Sequence, residues 1–272
     1  MALSPEPDAL SWAAAAGLGA VQGVAEFLPV SSSGHLALAS HWLGIDPERG
    51  GHTLSVLLHA GTLLAVLLHY RRQIFGLLRD GAQPDGSRAR KMMAAVVVAT
   101  LPLGLVLLDP VRALFAGVEA DPRKIGVALC ATAAALAFSH RSKPPVDDPD
   151  EPPGLGVAAL IGLAQLLAVT PGVSRSGATI AAALALGLGR GRAAQFSFLI
   201  SIPAIAGATV DELGGLGDEA LPWGPLALGF AVSFAVGLVA LGALLRVLER
   251  VGLMPFVPYL VTVGALAIIF GG

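Results

Sequence analysis

Residues 22–35 read QGVAEFLPVSSSGH, and residues 165–177 read QLLAVTPGVSRSG. Each stretch places a glutamine nine residues before the first serine of a short serine-glycine cluster, inside otherwise apolar sequence. The two stretches begin 143 residues apart in a chain of 272 residues, an offset close to half the length. Such an offset favours an internal duplication over chance, so we expect two related halves.

The composition is typical of a membrane protein. Hydrophobic residues make up 55% of the chain and charged residues 13%, whereas a soluble domain carries about 25% charged residues. The mean hydropathy is +0.75. The single cysteine, Cys130, excludes an intramolecular disulfide, and the absence of a basic tract argues against nucleic acid as a partner.

Long apolar stretches predict six membrane crossings. A crossing needs roughly 20 mainly apolar residues. Stretches near that length occur at 53–70, 92–108, 124–140, 195–213, 224–244 and 255–271.

The two serine-glycine regions are apolar as well, but proline, glycine and polar residues interrupt each of them. They predict re-entrant helical hairpins, at about 9–45 and 154–189, each followed by three crossings. An odd number of crossings inverts the second half, so the expected fold is an all-α polytopic membrane protein with an inverted-topology repeat. Residues 1–140 form the first repeat, 141–153 a cytoplasmic linker, and 154–272 the second repeat. Such folds place their polar site near the midplane, where the hairpin tips meet.

Basic residues predict the orientation of the chain. Six arginines and lysines lie between positions 71 and 91, in the loop after the first crossing. Because Lys and Arg are retained on the cytoplasmic side, this loop is expected in the cytoplasm. The first hairpin then enters the membrane from the outer side, and the second enters from within.

Glu26 is the residue that packing explains least. An ionisable group in the middle of a membrane costs on the order of 2.5 to 3.5 kcal/mol on the insertion scale. Gln22 and Glu26 are four residues apart and share one helix face, and Pro29 ends that helix. Two oxygen ligands on one face suit a hard divalent cation, Mg²⁺ first and Ca²⁺ second, which also binds phosphate oxygens. The alternative is a structural carboxyl group that is protonated or held in a salt bridge.

Each serine cluster precedes an apolar helix, so one serine in each is expected to cap a helix N-terminus. Free backbone N–H groups at such a terminus attract anions. Two facing termini would hold a polyanion, and Arg175 adds a positive fork suited to phosphate. His35 follows Ser32 by three residues and could exchange a proton during attack on phosphorus. Its alternative role is that of a hydrogen-bonded residue at a helix end.

The two motifs resemble those of the bacterial undecaprenyl-diphosphate phosphatases of the bacitracin-resistance type. The resemblance rests on residues 22–35 and on PGVSRSGAT at 171–179, and it extends through the segment Phe196-Ser-Phe-Leu, through Gly207-Ala-Thr to Asp211, and through Tyr70-Arg-Arg. It therefore covers nearly the whole chain. Many members of the family carry Glu at the position of Gln22, so this chain has Glu26 as the one acid of its first motif.

The resemblance implies hydrolysis of a long-chain isoprenyl diphosphate to the monophosphate carrier of peptidoglycan synthesis. The site would open to the outer face of the bacterial plasma membrane, with the lipid tail among the membrane lipids. The implied roles are a metal or water site at Glu26 and Gln22, a nucleophile at Ser32, a proton partner at His35 and a diphosphate ligand at Arg175. Further hydrogen bonds to phosphate oxygens are assigned to Ser31, Ser33, Ser174, Ser176 and Thr179. Attack by water or by His35 would use the same residues, and the sequence does not separate the three.

Two other classes compete with this interpretation. A transporter of lipid or anion could use the same inverted repeat. The other class of lipid phosphatase needs a histidine and an aspartate downstream of a Ser-Arg pair, and the residues that directly follow Arg175, Ser-Gly-Ala-Thr-Ile-Ala-Ala-Ala, contain neither. The many glycines and alanines allow helices to associate closely, so a homo-oligomer is also expected.

Overall fold

The computed structural model of the chain describes residues 10–43, 52–115, 117–118, 120–140, 151–213 and 222–271. Most of the predicted linker, residues 141–150, therefore lies outside the described part. All regular structure in the described residues is helical. The α-helices are α1 (Trp12–Phe27), α2 (Ser32–Leu43), α3 (His52–Gly81), α4 (Ser87–Thr100), α5 (Asp109–Phe115), α6 (Pro122–Ser139), α7 (Leu155–Leu167), α8 (Arg175–Ala185), α9 (Arg190–Leu213), α10 (Trp223–Val251) and α11 (Phe256–Phe270), and a 3₁₀ segment (Leu101–Leu107) continues α4.

Four helical segments of the described chain are long and apolar enough to cross a membrane. They are Thr53–Gly81, Ser87–Leu107, Arg190–Val210 and Trp223–Val251. Large apolar side chains lie on the outside of the protein, such as Phe75 and Val239 at 74% and 73% exposure. Such a surface is typical of contact with lipid and not with water. The prediction of an all-α polytopic membrane protein is thus confirmed. The remaining two predicted crossings coincide with the shorter helices α6 and α11, so the number six stays a prediction.

The helix contacts follow a crossed pattern between the two halves of the chain. Helix α1 packs along α10, whereas α7 packs against α4; α3 contacts α9, and α6 lies along α11. Under the predicted duplication, α1 corresponds to α7 and α4 to α10, so each half supplies a partner to the first helix of the other. The inverted repeat itself stays a prediction.

Glycines allow the closest of these helix contacts. A Cβ atom built on Gly19 would lie 2.6 Å from the carbonyl oxygen of Gly229, and one on Gly23 would lie 2.8 Å from that of Ser233. In the second half, a Cβ on Gly162 would lie 2.4 Å from the carbonyl oxygen of Ala99. Small residues in membrane helices let backbones approach in this way. These glycines serve helix contacts within one chain, so they do not indicate whether the protein forms a homo-oligomer. The homo-oligomer stays a prediction.

The substitution Gly23→Ala is therefore expected to destabilise the packing of α1 on α10. Overpacking of a tight contact costs about 1 to 3 kcal/mol, so the purified protein should aggregate at a lower temperature in detergent. Gly17→Ala is the matched control, because it lies on the same helix and a Cβ there meets nothing within 4 Å. We expect Gly17→Ala to leave the aggregation temperature unchanged or raise it, since alanine favours helix. Equal behaviour of the two variants would contradict the proposed contact.

Candidate active site

The first hairpin turns at Pro29, between α1 and α2. Proline cannot continue the hydrogen bonding of α1, and the backbone of Ser31 then adopts a positive φ of 72°. The Ser31 hydroxyl oxygen accepts a hydrogen bond from the N–H of Gly34 at 3.3 Å, which caps α2. Gln22 and Glu26 project from the last turns of α1, and both side chains are buried. The shared face predicted for them is confirmed, because Gln22 Nε2 donates to Glu26 Oε2 at 3.1 Å.

The second hairpin repeats this local structure between α7 and α8. Ser174 is the N-cap of α8, and its hydroxyl oxygen accepts a hydrogen bond from the N–H of Gly177 at 3.1 Å. Gly172 takes a positive φ of 95° in the turn before it. The predicted capping of both helices by serine is confirmed.

The two turns contact each other directly. The N–H of Gly172 donates to the hydroxyl of Ser31 at 3.1 Å. In the opposite direction, the hydroxyl of Ser176 donates to the carbonyl oxygen of Leu28 at 3.2 Å. A Cβ on Gly34 would lie 3.0 Å from the Cα of Gly172, so glycine is needed for this approach. The predicted meeting of the two hairpin tips is confirmed.

An ion pair between Glu26 and Arg175 lies at the centre of this contact. Arg175 Nη2 donates to Glu26 Oε1, and the Ser32 hydroxyl donates to Glu26 Oε2 at 2.6 Å. The side chains of Glu26 and Arg175 are 6% and 15% exposed, so the pair is largely shielded from solvent. Arg175 Nη1 is buried and has no hydrogen-bond partner in the described residues. Arginine therefore retains donors for a further anionic group.

The two hairpins differ at the positions of the charged residues. At the duplication offset, Ser32 corresponds to Arg175 and Glu26 corresponds to Val169. The hydroxyl pairs Ser31–Ser33 and Ser174–Ser176 repeat at 3.4 and 3.2 Å. The two hairpins thus form one site, with an acid and a hydroxyl from the first and an arginine from the second. A second copy of this charged set is absent from the described residues.

His35 is not hydrogen-bonded to Ser32 or Glu26. Its Nδ1 lies 2.8 Å from the carbonyl oxygen of Ser31, and its Nε2 lies 2.7 Å from the hydroxyl of Tyr259. Both ring nitrogens are therefore engaged. The proton-partner role of His35 stays a prediction.

The five hydroxyl residues assigned to phosphate binding fall into two groups by their contacts. Ser31 and Ser174 cap helices, while Thr179 donates from Oγ1 to the carbonyl oxygen of Arg175 at 2.8 Å and lies 2.6 Å from Ser197 Oγ. These hydroxyls brace the site. Ser33 is the exposed member of the set. Phosphate binding by any of them stays a prediction.

Residues outside the motifs complete the site. His59 Nε2 lies 4.0 Å from Glu26 Oε2, and its Nδ1 bonds the carbonyl oxygen of Ser55 at 2.9 Å. Thr132 accepts a hydrogen bond from the N–H of Ser174 at 3.1 Å. In the sequence, His59 and Thr132 stand out only as polar residues inside apolar helices. This does not reveal which motif residue each of them contacts.

The atoms around Glu26 do not fit a divalent cation held by Glu26 and Gln22. Both carboxylate oxygens are already bonded, to Arg175 on one side and to Ser32 and Gln22 on the other. Gln22 donates its amide nitrogen to Glu26, and its own Oε1 is buried with no hydrogen-bond partner in the described residues. No group of three metal-ligating side chains occurs in the described residues. Binding of Mg²⁺ or Ca²⁺ stays a prediction.

The sequence matches the family described as "Bacitracin resistance protein BacA" over residues 15–266. It is 41% identical to an undecaprenyl-diphosphatase of Geobacter metallireducens, over 93% of this chain and 96% of the relative. A protein named undecaprenyl-diphosphatase from Geobacter sulfurreducens is 40% identical, over 92% of this chain and 94% of the relative. A third, undecaprenyl-diphosphatase 2 of Stutzerimonas stutzeri, is 39% identical over 94% of this chain and 97% of the relative. None of these names supports the transporter alternative.

Proposed function

Since this chain belongs to the family of bacitracin resistance proteins, we propose that it is a membrane-embedded phosphatase that hydrolyses undecaprenyl diphosphate. The products are undecaprenyl phosphate and inorganic phosphate. The relatives that cover nearly the whole chain carry the name undecaprenyl-diphosphatase, which supports this substrate. Recycling of the lipid carrier for peptidoglycan synthesis, and resistance to bacitracin, follow from the family's role.

One structural observation carries the proposed mechanism: Glu26 joins the nucleophile candidate to the phosphate-binding candidate. Its Oε2 accepts the Ser32 hydroxyl at 2.6 Å, and its Oε1 accepts Arg175. A carboxylate within hydrogen-bond reach of a hydroxyl can serve as its general base. Arg175 lies where positive charge would stabilise the phosphoryl group in transfer.

The reaction then proceeds in two steps. Ser32 Oγ attacks the terminal phosphorus and gives its proton to Glu26, and the bond from that phosphorus to the bridging oxygen breaks. Undecaprenyl phosphate leaves with the bonding electrons. Water then attacks the phosphoserine, and its oxygen and both of its hydrogens stay with the phosphate that forms. Glu26 returns its proton to Ser32 Oγ as the P–Oγ bond breaks, and inorganic phosphate is released as H2PO4⁻. Attack by His35 is disfavoured because both of its ring nitrogens are bonded elsewhere.

The serine that reacts can be identified by comparing Ser32→Ala with Ser33→Ala. Loss of a nucleophile that cannot be replaced should reduce kcat about 10²-fold or more, the range of activated groups in catalysis. Ser33 is adjacent and exposed, and its hydroxyl lies 3.4 Å from Ser31, so it is the matched control. We expect Ser33→Ala to change kcat only a few-fold. Trapping of labelled phosphate on wild-type protein but not on Ser32→Ala would identify the intermediate; full activity of Ser32→Ala would indicate direct attack by water.

We also propose that the site opens to the outer face of the plasma membrane. The basic residues between positions 71 and 91 support this orientation, because they hold the far end of α3 in the cytoplasm. The exposed Ser33 lies at the start of α2, which leads from the site toward the predicted outer side. A cysteine at position 33, in a chain with Cys130 replaced by alanine, should react with an impermeant maleimide in intact cells. Labelling only in inside-out vesicles would show that position 33 faces the cytoplasm and would contradict this proposal.

The function itself is tested with purified protein in detergent and undecaprenyl diphosphate. We expect release of one inorganic phosphate per substrate, with undecaprenyl phosphate identified by mass spectrometry. Binding of the lipid without phosphate release would contradict the proposal and favour transport.

A further inference from the structure

The ring of His35 is fixed by a residue from the last helix of the chain. Tyr259, on α11, places its hydroxyl 2.7 Å from His35 Nε2. The two rings also stack, with centroids 5.6 Å apart and planes 10° from parallel. The contact joins residues 224 positions apart, one in the first motif and one outside both motifs.

The other ring nitrogen determines what this contact means. Nδ1 of His35 lies 2.8 Å from the carbonyl oxygen of Ser31. A carbonyl oxygen can only accept, so Nδ1 carries a hydrogen in both charge states of the ring. Nε2 is therefore the nitrogen that gains and loses a proton, and the hydroxyl of Tyr259 occupies it.

A tyrosine hydroxyl suits this position because it can donate and accept. It donates to Nε2 of the neutral ring and accepts from Nε2–H of the charged ring. The same contact thus holds the ring in both states, and a proton leaving Nε2 meets the oxygen of Tyr259 first. The charged groups of the site, Glu26 and Arg175, are paired with each other, and neither is hydrogen-bonded to the His35 ring.

We propose that Tyr259 is a positioning residue for His35, which orients the imidazole and supplies the hydrogen-bond partner of its Nε2. Tyr259 is 46% exposed, whereas His35 is partly buried, so the tyrosine is the outer member of the pair. This inference rests on the proposed phosphatase function. It also requires that His35 exchanges a proton during the reaction, so His35→Ala must itself lower kcat.

The substitution Tyr259→Phe tests the proposal, since it removes the hydroxyl and keeps the ring that stacks on His35. We expect kcat for phosphate release to fall about tenfold, which corresponds to the loss of one hydrogen bond. KM and the aggregation temperature should be unchanged, because the candidate phosphate ligands and the stacked ring are retained. Tyr70→Phe is the matched control, because Tyr70 is the only other tyrosine and its ring contacts His69 and Phe198 instead of His35.

The same substitution in a His35→Ala background separates positioning from a general packing role. If Tyr259 acts through His35, kcat should be the same with Tyr or Phe at position 259 once the histidine is gone. A further tenfold loss in that background would overturn the proposal, as would full kcat in Tyr259→Phe. Hydrolysis by the wild-type protein is measured alongside, so that failure of the phosphatase function is distinguished from failure of this inference.

Discussion

Glu26→Gln is expected to reduce kcat for phosphate release about 10³-fold, within the range that a positioned general base contributes. The amide keeps the size and shape of the side chain, but it cannot take the proton of Ser32. In the present arrangement the carboxylate is the only described acceptor of that hydroxyl, at 2.6 Å. The measurement is the initial rate of phosphate release at saturating undecaprenyl diphosphate.

Two comparisons make this prediction specific. Glu249→Gln carries out the same chemical change on the exposed last turn of α10 and should retain wild-type kcat. The variant at position 26 must also elute as a single species with wild-type helix content, because it leaves the buried Arg175 without its partner. A well-folded Glu26→Gln protein with wild-type kcat would exclude Glu26 as the base.

Arg175→Ala should cost a comparable factor, about 10³-fold in kcat, the lower end of what an arginine contributes to phosphoryl transfer. Arg175 Nη1 is buried with no partner in the described residues, so it can donate to a phosphate oxygen without breaking a bond. Arg175→Lys retains the charge but loses the planar fork. We therefore expect its kcat to lie between those of wild type and Arg175→Ala.

The matched control for the lysine variant is Arg250→Lys, which lies exposed in the last turn of α10. It should leave kcat and KM unchanged. If Arg175→Lys were fully active, point charge alone would be sufficient and the fork geometry would be irrelevant. If Arg175→Ala were fully active, the proposed phosphate site would lie elsewhere.

The sequence predicted the centre of the site because charge and hydrophobicity conflict there. Glu26 and Arg175 interrupt apolar stretches, and burying either one alone is costly. The repeated serine-glycine clusters then indicated that the two stretches are related and meet. The structure confirms the meeting as an ion pair between residues 149 positions apart.

The remaining contacts could not be predicted because nothing in the local sequence marks them. Tyr259, Thr132 and Ser197 lie on helices whose mutual arrangement decides which motif residue each one contacts. Spacing placed Gln22 and Glu26 on one helix face, but it did not reveal that Arg175 occupies one carboxylate oxygen of Glu26. The metal stays a prediction.

Hydropathy located the helices, but it did not show which of them are long enough to cross a membrane. The predicted spans at 53–70 and 224–244 coincide with α3 and α10, of 30 and 29 residues. Helix α11 has only 15 residues, about 22 Å at 1.5 Å per residue, which is less than the hydrocarbon core of a bilayer. It packs along α6 and places Tyr259 against His35 of the first motif, a contact that hydropathy does not reveal.

The central claim is that both hairpins form one active site through Glu26 and Arg175. A double-mutant cycle on phosphate release from labelled undecaprenyl diphosphate tests it directly, using wild type, Glu26→Gln, Arg175→Ala and the double variant. Residues that act as a unit lose their effects non-additively, so the account predicts a double variant about as slow as the slower single variant. Losses that multiply, as expected for two independent sites, would contradict it.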